Sequence, residues 1–214
     1  MKQEYEVKIL NVNPAELVAK LQKLGGTISF GPGLLKTVLF DHPKLKLREQ
    51  GVPIRVRELG GRAYLNIKHA SGPQVGPTKL LQETELTIEA FDKMCELLRL
   101  AGFYPFRYQE KKRTVFQFPA VAVELDQYPN VPAYLVLEGD TAAATSELVA
   151  KLGYESNQTA KLSATEILKK NGVTNPDLVR FDETAPLPEY LTPKQLDSIA
   201  EADKQVEEVL WEKD

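Results

Sequence analysis

The feature that most constrains this chain is a period-two alternation of charged and apolar residues, repeated in seven short runs. In EYEVKIL, Glu4, Glu6 and Lys8 fall on one side of an extended backbone, while Tyr5, Val7 and Ile9 fall on the other. Arg55 and Arg57 oppose Ile54 and Val56 in the same way, and Asn66 and Lys68 oppose Leu65 and Ile67. Glu83 and Glu85 oppose Thr84 and Leu86, and Glu124 and Asp126 oppose Val123 and Leu125. Lys111 and Arg113 form one more pair, and Glu138 stands alone on its run. Such segments read as strands with one dry face and one charged face.

One strand of this kind is the ordinary element of a half-solvated antiparallel sheet. Seven together ask for more, because two Glu-x-Glu pairs and two basic-x-basic pairs set like charges side by side, where they repel. Closing about eight such strands into a barrel, with helices outside, brings the opposite signs together along a polar tunnel. A tunnel of that kind holds a polyphosphate on its cations and divalent metal ions on its carboxylates.

The helices are legible between the strands. Asn13 caps a first helix with Pro14 at its start, a stripe of Leu17, Val18, Leu21 and Leu24, and Gly25-Gly26 at its end. Gly60-Gly61 joins PIRVREL to AYLNIKH as a hairpin. A second helix spans about Ile88 to Ala101 with Cys95 on its core face, a third about Thr141 to Leu152, and the Ser163–Glu166 capping box opens a fourth that ends near Gly172. Strand signals resume after the second helix at YQEKKRTVFQF, and Gly31-Pro32-Gly33 reads as a mobile loop, since it lacks a phosphate-binding loop's lysine spacing. Blocks of strands separated by single helices fit antiparallel pairing, so the fold class is α+β, a closed antiparallel β-barrel with helices packed outside.

With 214 residues the chain has room for one core domain, expected at residues 1–173, and an acidic connector and helix at 174–214. From Asp177 onward there are eleven acidic and four basic residues, a balance of −7, which leaves the body at +4. That excess is too small for a duplex nucleic-acid surface. No apolar stretch approaches the roughly 20 residues of a membrane span, and MKQEYEVKIL lacks a secretory apolar region, so a soluble cytoplasmic protein without membrane contact is expected. One cysteine and two histidines exclude an intrachain disulfide and a multi-thiolate zinc site. His42 reads as a loop residue, and His69, next to Lys68, as facing away from the tunnel. The tail helix, with Leu196, Ile199, Val206, Val209, Leu210 and Trp211 as an anchor against the barrel, has three expected roles: covering one tunnel mouth, forming a homodimer, or docking on an outer helix. As an appendage, residues 176–214 are expected to be removable with folding largely intact.

Glu4-x-Glu6-x-Lys8 resembles the E-x-E-x-K signature of the CYTH superfamily, the triphosphate tunnel metalloenzymes that include class IV adenylyl cyclases, thiamine triphosphatases and inorganic triphosphatases. The ordered series that follows, Arg55-x-Arg57, Lys68, Glu83-x-Glu85, Lys111-x-Arg113, Asp126 and Glu138, is similar to that family across most of residues 1–172. The resemblance implies Mg²⁺ or Mn²⁺ on Glu4, Glu6 and Glu138, with Glu83, Glu85 and Asp126 as further metal or water ligands. It implies a triphosphate (ATP, thiamine triphosphate or tripolyphosphate) clamped by Lys8, Arg55, Arg57, Lys68, Lys111 and Arg113, with Lys8 and Lys68 as candidates for the base. The chain departs from the family pattern at Val136, where a second acid often precedes the last glutamate, and at Leu80-Leu81-Gln82, where many relatives carry a basic residue. The expected activity is triphosphate hydrolysis; the alternatives are cyclisation of ATP to cyclic AMP and pyrophosphate, or polyphosphate binding without turnover.

Overall fold

The alternating runs become the staves of one closed barrel in the computed structural model, which describes residues 2–72 and 78–191. In chain order the elements are β1 (Lys2–Ile9), α1 (Pro14–Lys23), β2 (Thr27–Asp41), α2 (Lys46–Glu49), β3 (Ile54–Leu59), β4 (Arg62–Ala70) and β5 (Lys79–Ile88). They continue with α3 (Phe91–Leu100), β6 (Tyr104–Gln117), β7 (Val121–Gln127), β8 (Tyr134–Gly139), α4 (Ala142–Lys151), β9 (Thr159–Ala160), α5 (Ala164–Lys170) and β10 (Leu178–Val179). The pairing runs β6-β2-β3-β4-β5-β1-β8-β7, and β7 pairs back onto β6, so eight antiparallel strands close with no free edge.

The predicted caps form. Asn13 Oδ1 accepts from the N–H groups of Ala15 and Glu16 at 3.1 and 3.5 Å, and the Ser163 hydroxyl accepts from Glu166 N–H at 3.3 Å while Glu166 Oε2 accepts from Ser163 N–H at 2.6 Å. Gly60 and Gly61 have φ of +60° and +75°, the pair of positive angles that a two-residue hairpin between right-twisted strands requires.

The apolar faces of the strands point outward onto helices. Val7, Ile9, Val123, Leu135 and Leu137 pack beneath α1 and α4 with Leu17, Leu21, Leu148 and Leu152. Val38, Phe40, Val56 and Tyr108 pack beneath α3 with Phe91, Cys95 and Leu98. A third cluster lies on the inner side of the barrel, where Ile167 and Leu168 of α5 meet Tyr128, Tyr134 and Val136.

Two expectations are corrected. Gly31-Pro32-Gly33 is not a free loop but part of β2, the longest strand, where the register shifts between Phe30 and Gly33. A side chain on Gly31 would meet the Arg113 carbonyl oxygen at 2.4 Å, so this bulge needs glycine for close backbone approach. The first part of the tail is also no loose appendage. Strand β10 runs parallel to β6, Tyr108 N–H donates to Asp177 O at 2.8 Å, and Val179, Tyr190 and Leu191 are buried in the core clusters. The tail helix expected beyond Thr192, with Trp211, lies outside the described residues.

Candidate active site

Because β-strand side chains alternate, burying the apolar set under helices obliges the charged set to face the barrel axis. A cavity of about 410 Å³ results, lined among others by Glu6, Lys8, Arg55, Arg57, Lys68, Lys111, Arg113, Glu124 and Glu138. The remaining predicted site residues, Glu4, Glu83, Glu85 and Asp126, join these through ion pairs.

Three ionic groups can be distinguished. In the first, Lys68 Nζ lies 2.9 Å from Glu4 Oε2 and 3.4 Å from Glu6 Oε2, and donates to Glu138; Lys8 donates to Glu6. Burial by itself would lower the Lys68 pKa, but Glu138, Glu6 and Glu4 outweigh it and hold the ammonium well above its ordinary value. Burial likewise opposes ionisation of Glu138, yet Lys68 brings its carboxyl down to about 2. In the second group, Arg57 Nη2 reaches Glu83 at 3.1 Å and Glu85 at 2.5 Å, and Asn66 Nδ2 donates to the same two carboxylates at 2.8 and 2.9 Å. In the third, Arg113 Nε and Nη2 grip the fully buried Asp126 side-on at 2.7 and 2.8 Å, Lys111 Nζ lies 2.5 Å from it, and Arg113 Nη1 donates to Glu124. Burial raises Glu124 to about 7 against the pull of Arg113, and burial with the adjacent Arg113 lowers Lys111 to about 8.

Arg55 differs from these. Its Nε is buried with no hydrogen-bond partner, and burial together with the neighbouring Arg57 brings its pKa from 12.5 to about 10. A buried guanidinium with an open donor is a place where an anion binds.

Among the described residues no three Asp, Glu, His or Cys side chains are placed to hold a metal ion together. At the first group the reason is visible: the Lys68 ammonium occupies the point on which Glu4, Glu6 and Glu138 converge. The donor set itself suits a hard divalent cation, since three carboxylates from two adjacent strands are gathered around one cation, the Lys68 ammonium. Glu83, Glu85 and Asp126 are instead engaged by side-chain donors.

The cavity also has walls that the charge pattern did not reveal. Leu35, Thr37, Leu39, Arg107, Gln109, Tyr128, Tyr134 and Val136 line it, as do Ser163, Ala164 and Thr165 at the start of α5. His69, expected to face away, also borders it. Val136 sits beside Lys8 in the strand register and packs with Tyr134 and Ile167, so an aliphatic contact stands where the second acid was sought.

A family model for the CYTH domain matches residues 2–169. Solved structures share the fold: a protein of Pyrococcus horikoshii is 22% identical with TM-score 0.62, covering 77% of this chain and 97% of its own. A candidate adenylate cyclase from Vibrio parahaemolyticus is 17% identical with TM-score 0.68, covering 78% and 98%. A candidate adenylyl cyclase from Hippeastrum with a dominant triphosphatase activity is 16% identical with TM-score 0.52, covering 89% and 98%. A comparison with curated proteins gives no match. With the family model spanning most of its length and the signature charges gathered inside its barrel, the chain belongs to the CYTH domain family.

Proposed function

We propose that the barrel binds a triphosphate and hydrolyses it with Mg²⁺ or Mn²⁺ as cofactor. The observation that carries this reading is the lining of one cavity: cations from β1, β3, β4 and β6 face carboxylates from β1, β7 and β8, with the Arg55 Nε donor left open. Arginine forks match phosphate oxygens and keep their charge near neutral pH. The dominant triphosphatase activity of the Hippeastrum protein supports hydrolysis as the first choice over cyclisation.

In this reading Glu4, Glu6 and Glu138 would hold the ion, and Lys68, which lines the same cavity, would contact a phosphate oxygen. When bound, the ion neutralises charge on the phosphates. Arg55, Arg57, Lys111 and Arg113 fix the chain of phosphates so that the terminal phosphorus lies in line with a water molecule. The water oxygen bonds to that phosphorus, the bridging P–O bond breaks with its electron pair passing to the diphosphate, and a water proton passes to a protein base. Lys8 and Lys68, both at the cavity wall, are the candidates for that base.

The test is a product assay with ATP, thiamine triphosphate and tripolyphosphate, each with Mg²⁺ and with Mn²⁺. Orthophosphate release that is lost in Glu4→Gln and Arg57→Ala is the expected result. Cyclic AMP with stoichiometric pyrophosphate would replace the reading by a cyclase, and tight binding without turnover would replace it by a binding module.

A further inference from the structure

Strand β6 presents four successive inward positions, Arg107, Gln109, Lys111 and Arg113, and all four line the cavity. The register places Arg107 opposite Leu39 and Leu39 opposite Arg55, so the two guanidinium-bearing residues stand in one rank on either side of a leucine. Among the described residues neither forms an ion pair with a carboxylate of the barrel, whereas Lys8, Arg57, Lys68, Lys111 and Arg113 all do. The rank therefore holds two guanidinium groups that no barrel carboxylate pairs directly, Glu83, Glu138 and Glu6 acting on Arg55 only at longer range.

The balance for Arg107 comes from the tail. Its Nε and Nη2 both lie 2.5 Å from Asp177 Oδ1, and its side chain is 13% exposed. That contact uses the side edge of the guanidinium and leaves the end formed by Nη1 and Nη2 for a second oxyanion. The neighbouring position is fixed by the tail as well: Gln109 Nε2 donates to Pro176 O at 2.6 Å, and Gln109 Oε1 accepts from Tyr128 Oη at 3.0 Å. Residues 176 and 177 thus hold two successive side chains of the cavity wall.

We propose that Arg107 is a further substrate-binding residue, gripping one phosphoryl group of the triphosphate together with Arg55, and that Asp177 is the positioning residue that orients its guanidinium. This rests on the triphosphate reading above. It makes the tail part of the binding site, because removing Asp177 frees a long side chain that otherwise meets the ligand already ordered.

The experiment is calorimetric titration of inorganic tripolyphosphate into the full-length wild type, Arg107→Gln, Arg107→Lys, Asp177→Asn and the double variant, with Arg57→Ala as a control and steady-state kinetics alongside. Arg107→Gln should weaken binding about 10- to 100-fold, the worth of one charge-assisted contact, and raise KM in step while kcat stays near wild type. Arg107→Lys, which keeps the charge and loses the fork, should recover part of the affinity. Asp177→Asn should weaken binding by less, and the double variant should match Arg107→Gln, since Asp177 acts through Arg107. Wild-type affinity in Arg107→Gln, with Arg57→Ala defective, would overturn the inference alone, as would independent, additive losses in the double variant for the role of Asp177. Absence of tripolyphosphate binding by the wild type would overturn the triphosphate reading and this inference with it. Should Arg107→Gln fail to fold, Arg107→Lys and Asp177→Asn decide: unchanged affinity in both overturns the proposal.

Discussion

Lys68 Nζ stands 2.9 Å from the buried Glu4 Oε2, and the same ammonium serves Glu6 and Glu138. One internal cation thus bridges three largely buried carboxylates. Lys68→Met removes it and leaves the exposed Lys2 on Glu4 and Lys8 on Glu6 as the remaining ion pairs of the three, with none on Glu138 among the described residues. The variant should lose about 3–5 kcal/mol in metal-free urea denaturation, as for a buried pair stripped of one partner. If the same carboxylates can hold a divalent ion, millimolar Mg²⁺ or Mn²⁺ should restore more stability to the variant than it adds to wild type. Equal metal effects in both proteins would argue that these three do not form the ion site.

How much of this was legible in the sequence depends on whether the signal is local. The inward charges on β1, β3, β4, β5 and β7 were readable because period two needs only neighbouring residues, and one apolar face was always present beside them. Strand β2 gave no such signal, since both its faces are covered: Leu35 and Leu39 line the cavity while Val38 and Phe40 lie under α3. Arg107 escaped for two reasons. The strand begins at Tyr104, four residues before the recognisable alternation, and the next inward residue is the neutral Gln109. Its partner Asp177 is 70 residues away, a contact that no local pattern encodes.

Asp41 is another such case. Fully buried, it accepts from the N–H groups of His42 at 2.6 Å, Leu47 at 2.9 Å and Arg48 at 2.6 Å, and so organises the turn and α2 beside the rank of Arg55 and Arg107. Asp41→Ala leaves three donors without their acceptor and should cost about 3 kcal/mol, while Asp41→Asn, which keeps one oxygen, should cost less. Chemical denaturation of the three proteins checks the order; an alanine variant as stable as wild type would show that other acceptors replace the carboxylate.

Asn66 holds Glu83 and Glu85 with one amide nitrogen while Arg57 holds them with one guanidinium nitrogen. Asn66→Asp keeps the shape and replaces the donor by a third carboxylate. The loss should be about 2–3 kcal/mol near neutral pH. The sign with pH follows from the new carboxyl: like charges raise its folded pKa above the unfolded value near 3.9, so the native state takes up the proton first and the deficit shrinks as pH falls. A deficit that stays constant from pH 7 to pH 4 would rule out charge repulsion as its cause.

The tail's anchoring has its own reporter in Cys95. This sole cysteine is buried beneath Phe91, Leu98, Tyr190 and Leu191, with the Tyr190 hydroxyl donating to Asp92 at 2.9 Å. Burial pushes its thiol from 9.0 up to about 12. Below pH 9 the thiol is protonated in both folded and unfolded chains; between pH 9 and 12 only the unfolded chain gives up the proton, so this group's contribution to stability falls as pH rises through that window. At pH 8 a thiol reagent should therefore react with the full chain only through opening of the structure, and slowly. Removing residues 176–214 takes away β10, Tyr190 and Leu191, uncovers the thiol and should make its labelling fast, with a lowered thermal midpoint. Labelling of the truncated chain at the full-length rate would mean that α3 and the barrel close over Cys95 without the tail, and that residues 176–191 rest on the core without completing it.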